Sequence, residues 1–483
     1  MPLESIPAEG REVLVRLIDL AGPDRPTWLV GGALREILSG QLASDPPPAD
    51  LDIAVSRAAL ELGRRLADQL GGRFVELDSS RGACRVVGLA EQRLSLDLVD
   101  LRAPTLEGDL RGRDFTVNAL AVSIRDLVRD GHARILDPTG GLADLRARVA
   151  RLCAPGAIAD DPVRALRGVR LAMRPGWRLD AAAETAIRAA AFRLSDVAAE
   201  RVRDELIGIL AEPNGAAGLR ALDRVDVLPA LFPERAAMRA TDQPLPHRFD
   251  VWEHSLRTVE GVDVLLGDLD LLAPWGPELR LHLAEELGGG LTRRETLKLA
   301  ALLHDVAKPE TRALQGGRIR FFGHDAVGAR RTLAITERLR LPRRAAQVIE
   351  RLVAAHLRPM HLAQAGEITG RARFRFFRDL AGEARDLLLL TLADASAVAG
   401  TSPLAVWTGQ GGQVVRMLMT GAEPAAAAAA SLPLLRGEDV MRAFGLPPGP
   451  EVGRLLERAR EAQALGQVTT REEAIALLRR AGA

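Results

Sequence analysis

At about residue 141 the apolar residues stop recurring at every second position and begin recurring at i, i+3 and i+4. No other feature restricts the possible folds as much, because the two periods belong to strands and helices respectively. Before the change come short apolar runs between turns: TWLVGG, ADLDIAV, GRFVEL, CRVVGL, LSLDLVDL, TVNALAVSI and HARILD. These predict strands, with helices over about 33–39 and 57–70. After it come GLADLRARVARL, DPVRALRGVRLAM, AAAETAIRAAAFRL and AAERVRDELIGIL, each an amphipathic helix by its spacing. The chain is therefore expected to be α+β, a strand-rich head followed by a long all-α body. With 483 residues and ~150 per domain, three or so domains are expected. DQPLPHRFD near 240–248 and the low-complexity EPAAAAAASLP near 423–433 read as linkers. The expected boundaries are 1–145 for the head, 146–245 for neck and body, 246–400 for a second helical block and 401–483 for the tail.

Within the head, the stretch LVGGALRE…ADLDIAV combines two unusual features. Asp50 and Asp52 lie two apart in an apolar strand, so both carboxylates point to one face. Like charges set side by side are costly unless a cation neutralises them, and Mg²⁺ favours a few carboxylates plus substrate phosphates. Gly31 and Gly32 form a turn before a helix from about Ala33, presenting free N–H groups and a positive helix end to a phosphate. Arg35 adds a guanidinium.

Bulk charge gives no sign of nucleic acid: 65 Lys+Arg stand against 64 Asp+Glu, a net charge of +1. Nearly all the cations are arginine, Lys298 and Lys308 being the only lysines, a bias that a GC-rich genome accounts for better than phosphate recognition does. Cys84 and Cys153 are too few for a disulfide framework or a cysteine zinc site. The opening MPLESIPAEGREVLVRLIDLAG lacks a basic stretch followed by an apolar core, and no apolar run reaches the ~20 residues of a membrane span. A cytoplasmic protein with no membrane contact is expected.

Further polar groups fall at element ends. Asp97, in LSLDLVDL, could join the aspartate pair as a third ligand or polariser. LEGDLRGRDFTVNALAV supplies Arg111, Arg113, Asp114 and Asn118, and DDPVRALRGVR puts Asp161 and Arg164 at i, i+3, with Arg167 and Arg170 along the same side. An Asp and an Arg held together offer an acceptor and two donors, an edge able to imitate a base's pairing partner.

In order, GGALRE…DLDIAV, RDFTVNALAV, DPTGGLADL, DDPVRALRGVRLA and AAERVRDEL resemble the motifs of class II tRNA nucleotidyltransferases and bacterial poly(A) polymerases over residues 25–235. The resemblance implies a nucleotidyltransferase-type head, with Asp50 and Asp52 as two-metal Mg²⁺ carboxylates and Gly31, Gly32 and Arg35 as triphosphate binders. It implies that Arg113, Asp114 and Asn118 hold the ribose, that Asp161 and Arg164 read incoming CTP and ATP, and that Glu200 and Arg201 buttress that pair. tRNA is the implied partner, with poly(A)-type tailing as the alternative. Two positions depart from the pattern: Gly112 replaces a second arginine, and Glu36 replaces an aspartate. Complete CCA-adding members carry a longer, flexible, charged segment between the strand ending near Arg102 and the Arg113 motif, and resemblance implies that this segment helps switch the pocket from CTP to ATP. Here about ten residues span it. That shortness points to a CC-adding enzyme or to another route to adenosine.

The second block carries His254, His304, Asp305, His324, His356 and Asp394. Imidazole and carboxylate ligands without thiolates suit Zn, Mn, Fe, Ni or Mg, and an adjacent His-Asp in an apolar helix demands a partner for both. The order resembles the HD metal-dependent phosphohydrolases over 249–400. In that family His254, His304, Asp305 and Asp394 would hold one metal, while His324 and His356 would complete a second site or bind phosphate. Lys308, one turn from His304, would reach a phosphate. Hydrolysis of terminal or 2′,3′-cyclic phosphates on damaged tRNA ends is the implied activity; a phosphohydrolase whose head merely binds RNA is the rival reading. His132, His247, His282 and His361 read as ordinary surface or satisfied residues, and RARFRFFRDL as an amphipathic helix before an RNA-stacking element.

Overall fold

The computed structural model describes residues 1–40, 49–91, 94–366, 368–420 and 432–480. All but the last two residues of the expected linker at 423–433 fall outside these. By internal contacts the chain forms two compact units, Met1–Glu205 with Ala221–Leu231 and Leu206–Arg220 with Phe232–Ala483.

The first unit is built on a seven-stranded sheet of order β3-β4-β5-β2-β1-β6-β7. The strands are β1 (Thr27–Val30), β2 (Ala49–Val55), β3 (Arg73–Asp78), β4 (Ala83–Leu89), β5 (Leu94–Asp100), β6 (Ala121–Ser123) and β7 (Ile135–Leu136). β2 and β5 run parallel; the other neighbours are antiparallel, so the sheet is mixed. Alternation along β2 separates two chemistries. Leu51, Ile53 and Val55 point to a fully buried face, packed with Val13, Leu14 and Leu17 of helix Ala8–Ala21 and Leu62 and Leu66 of helix Ala59–Leu70. Burying each aliphatic contributes about 1.5–3 kcal/mol. A one-residue slip would put the carboxylates into that core, so the register is fixed by the hydrophobic face.

Three α-helices of the head were not foreseen, Ile124–Asp130 being one. Ala8–Ala21 buries Gly10, Val13, Leu14, Leu17 and Ala21, a helical spacing present in the sequence. Leu106–Arg111 occupies the short connection after β5, started by Thr105, whose Oγ1 accepts from the Gly108 N–H at 3.1 Å. A short parallel pair, β8 (Val149–Ala150) and β9 (Arg178–Leu179), follows in the helical part of this unit.

In the second unit, helices Val251–Gly267, Arg293–Leu303, His324–Arg338, Arg343–Ala355 and Ala384–Ala399 surround one core. Helix Gly370–Leu380 is the amphipathic helix expected of RARFRFFRDL: Phe374, Phe376 and Phe377 are buried, and Arg375 bonds Glu461 at 3.1 Å. Those rings are not free to stack on RNA. Helices Gly437–Phe444, Pro450–Ala464 and Arg471–Arg480 share a small core around Val440, Leu455 and Leu478. No helix among the described residues is long and apolar enough to cross a membrane.

Lys298, 3% exposed, reaches the Leu210 and Glu212 carbonyls at 2.6 and 2.9 Å and Asp263 Oδ1 at 2.7 Å. Three acceptors match the three donors of an ammonium. Lys298→Met strands the Asp263 charge and should destabilise this unit by about 3–5 kcal/mol. A lowered melting temperature, partly restored in Lys298→Met/Asp263→Leu, is the expected result; no change would show that the buried pair contributes nothing.

Candidate active sites

On the face of the head sheet opposite its main core lie Asp50, Asp52 and Asp97. Parallel pairing sets Asp50 beside Ser95 and Asp52 beside Asp97, while Val30, the residue before the Gly-Gly turn, is paired with Asp52. Ser95 Oγ donates to Asp50 Oδ1. Asp52 Oδ2 accepts from the Ala33 N–H at 3.4 Å, tying the carboxylate to the start of helix Gly31–Ser39. Gly31 has φ +70°, and a Cβ there would lie 2.6 Å from Asp52 Oδ2. Only glycine fits the turn this close to the carboxylate. Burial pushes the Asp52 carboxyl above its ordinary range, and the charge of Asp97 adds to this against the N–H groups of Ala33 and Gly32 and the guanidinium of Arg113. An oxygen-only donor set with mutual repulsion and one exposed member, Asp50, fits a hard divalent cation. Asp97 shares the face, but both its oxygens are engaged by Arg85, at 2.6 and 2.7 Å.

Beyond the turn runs a ladder of charges. Arg35, 7% exposed, donates to Asn118 Oδ1 and to Glu36 at 3.2 Å; Arg174 meets the same Glu36 oxygen at 2.7 Å. Burial, with the charge of Arg174, lowers the Arg35 pKa to about 10. Asn118 Nδ2 donates to Asp114 at 3.1 Å, and Asp114 lies 3.8 Å from Arg167. Arg113 is held by Asp109, at 3.1 Å from Nη2. Asp161 accepts from Arg201 at 2.7 Å, while Arg164 donates to the carbonyls of Ala157 and Gly112, both at 3.2 Å. Glu205 grips Arg167 at 2.5 Å and Arg170 at 3.1 Å. Of the two expected buttresses Arg201 is in contact with Asp161, whereas the carboxylate that holds the arginines is Glu205. Arg201 and Glu205 are i, i+4 on helix Ala199–Ala211, a spacing that could have singled it out. Gly112, where a second arginine was missing, contributes its carbonyl, and Glu36 bridges two guanidiniums.

In the second unit all six expected ligands converge. His304 and Asp305 do not continue helix Arg293–Leu303 but fall in the turn after it. Successive helical residues diverge, whereas the turn lets both side chains face inward. Asp305 is the hub. Its Oδ2 lies 3.2 Å from His304 Nε2, 3.6 Å from His254 Nε2 and 2.6 Å from Lys308 Nζ; its Oδ1 lies 3.3 Å from His324 Nε2 and 3.7 Å from His356 Nε2. Asp394 is 3.0 Å from His254 Nε2. Two clusters result, each with ligand atoms within 4.8 Å of one another: His254, His304 and Asp305, and Asp305, His324 and His356. Nδ1 of His304, His324 and His356 is bonded to the carbonyls of Ala301, Phe321 and Val353 at 2.8, 2.6 and 2.7 Å, which directs each Nε2 lone pair inward. Despite these short separations, His254 Nε2, His304 Nε2 and both Asp305 oxygens are buried and make no well-aligned hydrogen bond. Orphaned atoms of these types fit divalent metal ions. Burial alone would raise the Asp305 carboxyl, but His304 and Lys308 hold it well below its ordinary range, and burial pushes His356 down to about 4, leaving a neutral ligand.

Two residues of the expected linker also stand here. Gln243 Oε1 accepts from Lys308 at 2.7 Å, and the His247 ring packs edge-on against His254 at 5.0 Å with Nδ1 buried and unpartnered. His247 was expected to be ordinary; nothing in its local sequence marks it, because the path of the backbone through 241–250 brings it in. His282 bonds the buried Asp386 at 2.8 Å, away from the cluster.

Gly31→Ala should weaken Mn²⁺ binding at the aspartate pair by about tenfold or more, or ~1.4 kcal/mol. Gly40→Ala, with the same φ but nothing within 4 Å of its Cβ, should leave it intact. Paramagnetic titration would read both; equal affinities would separate the turn from the carboxylates. In the second unit, His254→Ala should cost one bound ion, His324→Ala the other and Asp305→Ala both, measured as metal content after dialysis.

A model described as the poly A polymerase head domain matches residues 27–151, one for the probable RNA and SrmB-binding site of polymerase A matches 176–238, and an HD domain model matches 251–400. An A-adding tRNA nucleotidyltransferase of Deinococcus radiodurans is 36% identical over 461 residues, covering 94% of both chains. A CC-adding tRNA nucleotidyltransferase of Thermus thermophilus is 36% identical, over 93% of this chain and 92% of its own. In fold, the chain is similar to a CCA-adding enzyme in complex with ATP, with a TM-score of 0.62, 21% identity and coverage of 99% and 95%. From the motifs, the geometry and these matches, the chain belongs to the tRNA nucleotidyltransferase and poly(A) polymerase family, with an HD domain in its second unit.

Proposed function

We propose that this protein adds CMP to tRNA 3′ ends, using CTP without a template, and stops at CC. The observation that carries this is the segment between β5 and Arg113. It is a capped helix whose Asp109, 3% exposed, holds Arg102 at 3.2 Å and Arg113 at 3.1 Å. A segment locked to the Arg113 motif cannot serve as the flexible switch from CTP to ATP that resemblance attributes to complete CCA-adding members. A second reading, addition of the terminal AMP alone, is favoured by the A-adding Deinococcus radiodurans relative.

Asp50 and Asp52 would hold Mg²⁺, which when bound lowers the pKa of an attacking hydroxyl and neutralises pyrophosphate. The Gly31–Gly32 turn and helix N-terminus receive the triphosphate, with Arg35 beside them. Arg113, Asp114 and Asn118 take the ribose, and Asp161 with Arg164 presents the base-reading edge, kept in place by Arg201. Arg167 and Arg170, clamped by Glu205, add fixed positive charge to the same pocket. The tRNA 3′ oxygen bonds to the α-phosphorus as the α–β phosphoanhydride bond breaks in line, and catalysis is mostly positioning and charge neutralisation. Asp97 polarises the carboxylate pair, its charge adding to the burial that raises Asp52. The HD centre, loaded with transition metal or Mg²⁺, would serve phosphoester hydrolysis at tRNA ends. We assign the protein to the cytoplasm, where tRNA maturation supplies its substrates.

Three acceptors decide between the readings: tRNA lacking CCA, tRNA ending in C and tRNA ending in CC, each with CTP or ATP alone. CMP on the first two and no AMP on the third is expected; AMP on the third alone would establish A addition. Asp50→Ala/Asp52→Ala should lower incorporation by about 10²–10³-fold or more. Unchanged incorporation would remove the two-carboxylate site from the reaction.

A further inference from the structure

Between Lys308 and His324, both at the HD centre, the chain makes an antiparallel hairpin of β10 (Arg312–Gln315) and β11 (Arg318–Phe321). Gly316 and Gly317 both take positive φ, as a tight two-residue hairpin turn requires. Residues 312–323 contain three arginines and no carboxylate. In this chain most guanidiniums near the two sites are neutralised by Asp or Glu, yet Arg312, Arg318 and Arg320 have no carboxylate partner among the described residues. All of β10 is exposed, as are Arg318 and Arg320. The pairing of Ala313 with Arg320 and Gln315 with Arg318 puts both of these arginines on one face, two residues or about 7 Å apart. The opposite face carries Phe321, which anchors the hairpin to the centre: its carbonyl bonds His324 Nδ1 at 2.6 Å, and its ring lies 5.6 Å from Lys308 Nζ. Phe322, 69% exposed, stands two residues before the ligand His324.

We propose that this hairpin is an RNA clamp: Arg318 and Arg320 bind the phosphate backbone of a single strand, Phe322 stacks on a base near its end, and the terminal phosphate is thereby delivered to the HD centre. Two guanidiniums spaced along a strand, with an aromatic ring at its foot, are the elements of sequence-tolerant single-strand binding. The inference rests on the phosphohydrolase reading of the centre and adds to it the element that would bind the RNA chain and favour its end over a free nucleotide or a small phosphoester.

The test is the Arg318→Gln/Arg320→Gln double variant of the full chain, its metal content and CMP addition first matched to the parent protein to show that it folds. Hydrolysis is measured on tRNA with a 3′-phosphate and on p-nitrophenyl phosphate, which has no backbone to clamp. For tRNA, kcat/KM should fall about tenfold or more while that for the small ester stays put, and the salt dependence of log KM should flatten by about 1.4, two contacts at ~0.7 each. An unchanged tRNA rate, or equal losses on both substrates, would overturn the clamp. If the parent protein hydrolyses neither substrate, the phosphohydrolase reading fails first, and hydrogen exchange judges the clamp. Amides 312–321 should be protected by the 3′-phosphorylated tRNA in the parent and not in the variant, and absence of protection in the parent would overturn it.

Discussion

Strand β2 lies between a parallel neighbour and an antiparallel one, and its two faces cannot be exchanged. Three aliphatic side chains hold one face in the head's main core. That burial is what makes the other face carry Asp50 and Asp52, and it fixes which residues of β1 and β5 stand beside them. The glycine turn follows from the same register: Val30 is paired with Asp52, so the backbone leaving β1 passes directly over that carboxylate. A side chain at Gly31 would collide with it. The proposed cation site and phosphate cradle are thus two consequences of one packing decision.

The second unit reaches a comparable end by other means. Its ligands come from five helices or their ends, and no periodicity relates them. What unites them is one buried carboxylate, Asp305, whose two oxygens face different sets of imidazoles. Backbone carbonyls at i−3 orient three of the four rings, so much of the imidazole arrangement is set by where helices stop.

Legibility from sequence followed the range of the interaction. Strands β1 to β5 and the aspartate pair were readable because alternation is local, and the six HD positions because their order resembles a known pattern. The Ala8–Ala21 helix had readable spacing and was passed over. Glu205 needed only the i, i+4 relation to Arg201. The Arg85–Asp97 fork depends on the β4–β5 register, a non-local fact. His247 and Gln243 depend on how residues 241–250 turn back toward His254 and Lys308, which no pattern within the segment encodes. The helix at Leu106–Arg111 has six residues, too few for an apolar period to declare itself.

The two lysines carry a practical corollary. Both are nearly buried, at 3% and 6% exposure, each with its ammonium committed to acceptors that a flat guanidinium would match poorly. Lysines so inaccessible offer almost nothing to acetylating enzymes, to lysine-reactive dyes or to the usual lysine crosslinkers. Covalent labelling of its surface has to be directed at carboxylates or guanidiniums instead.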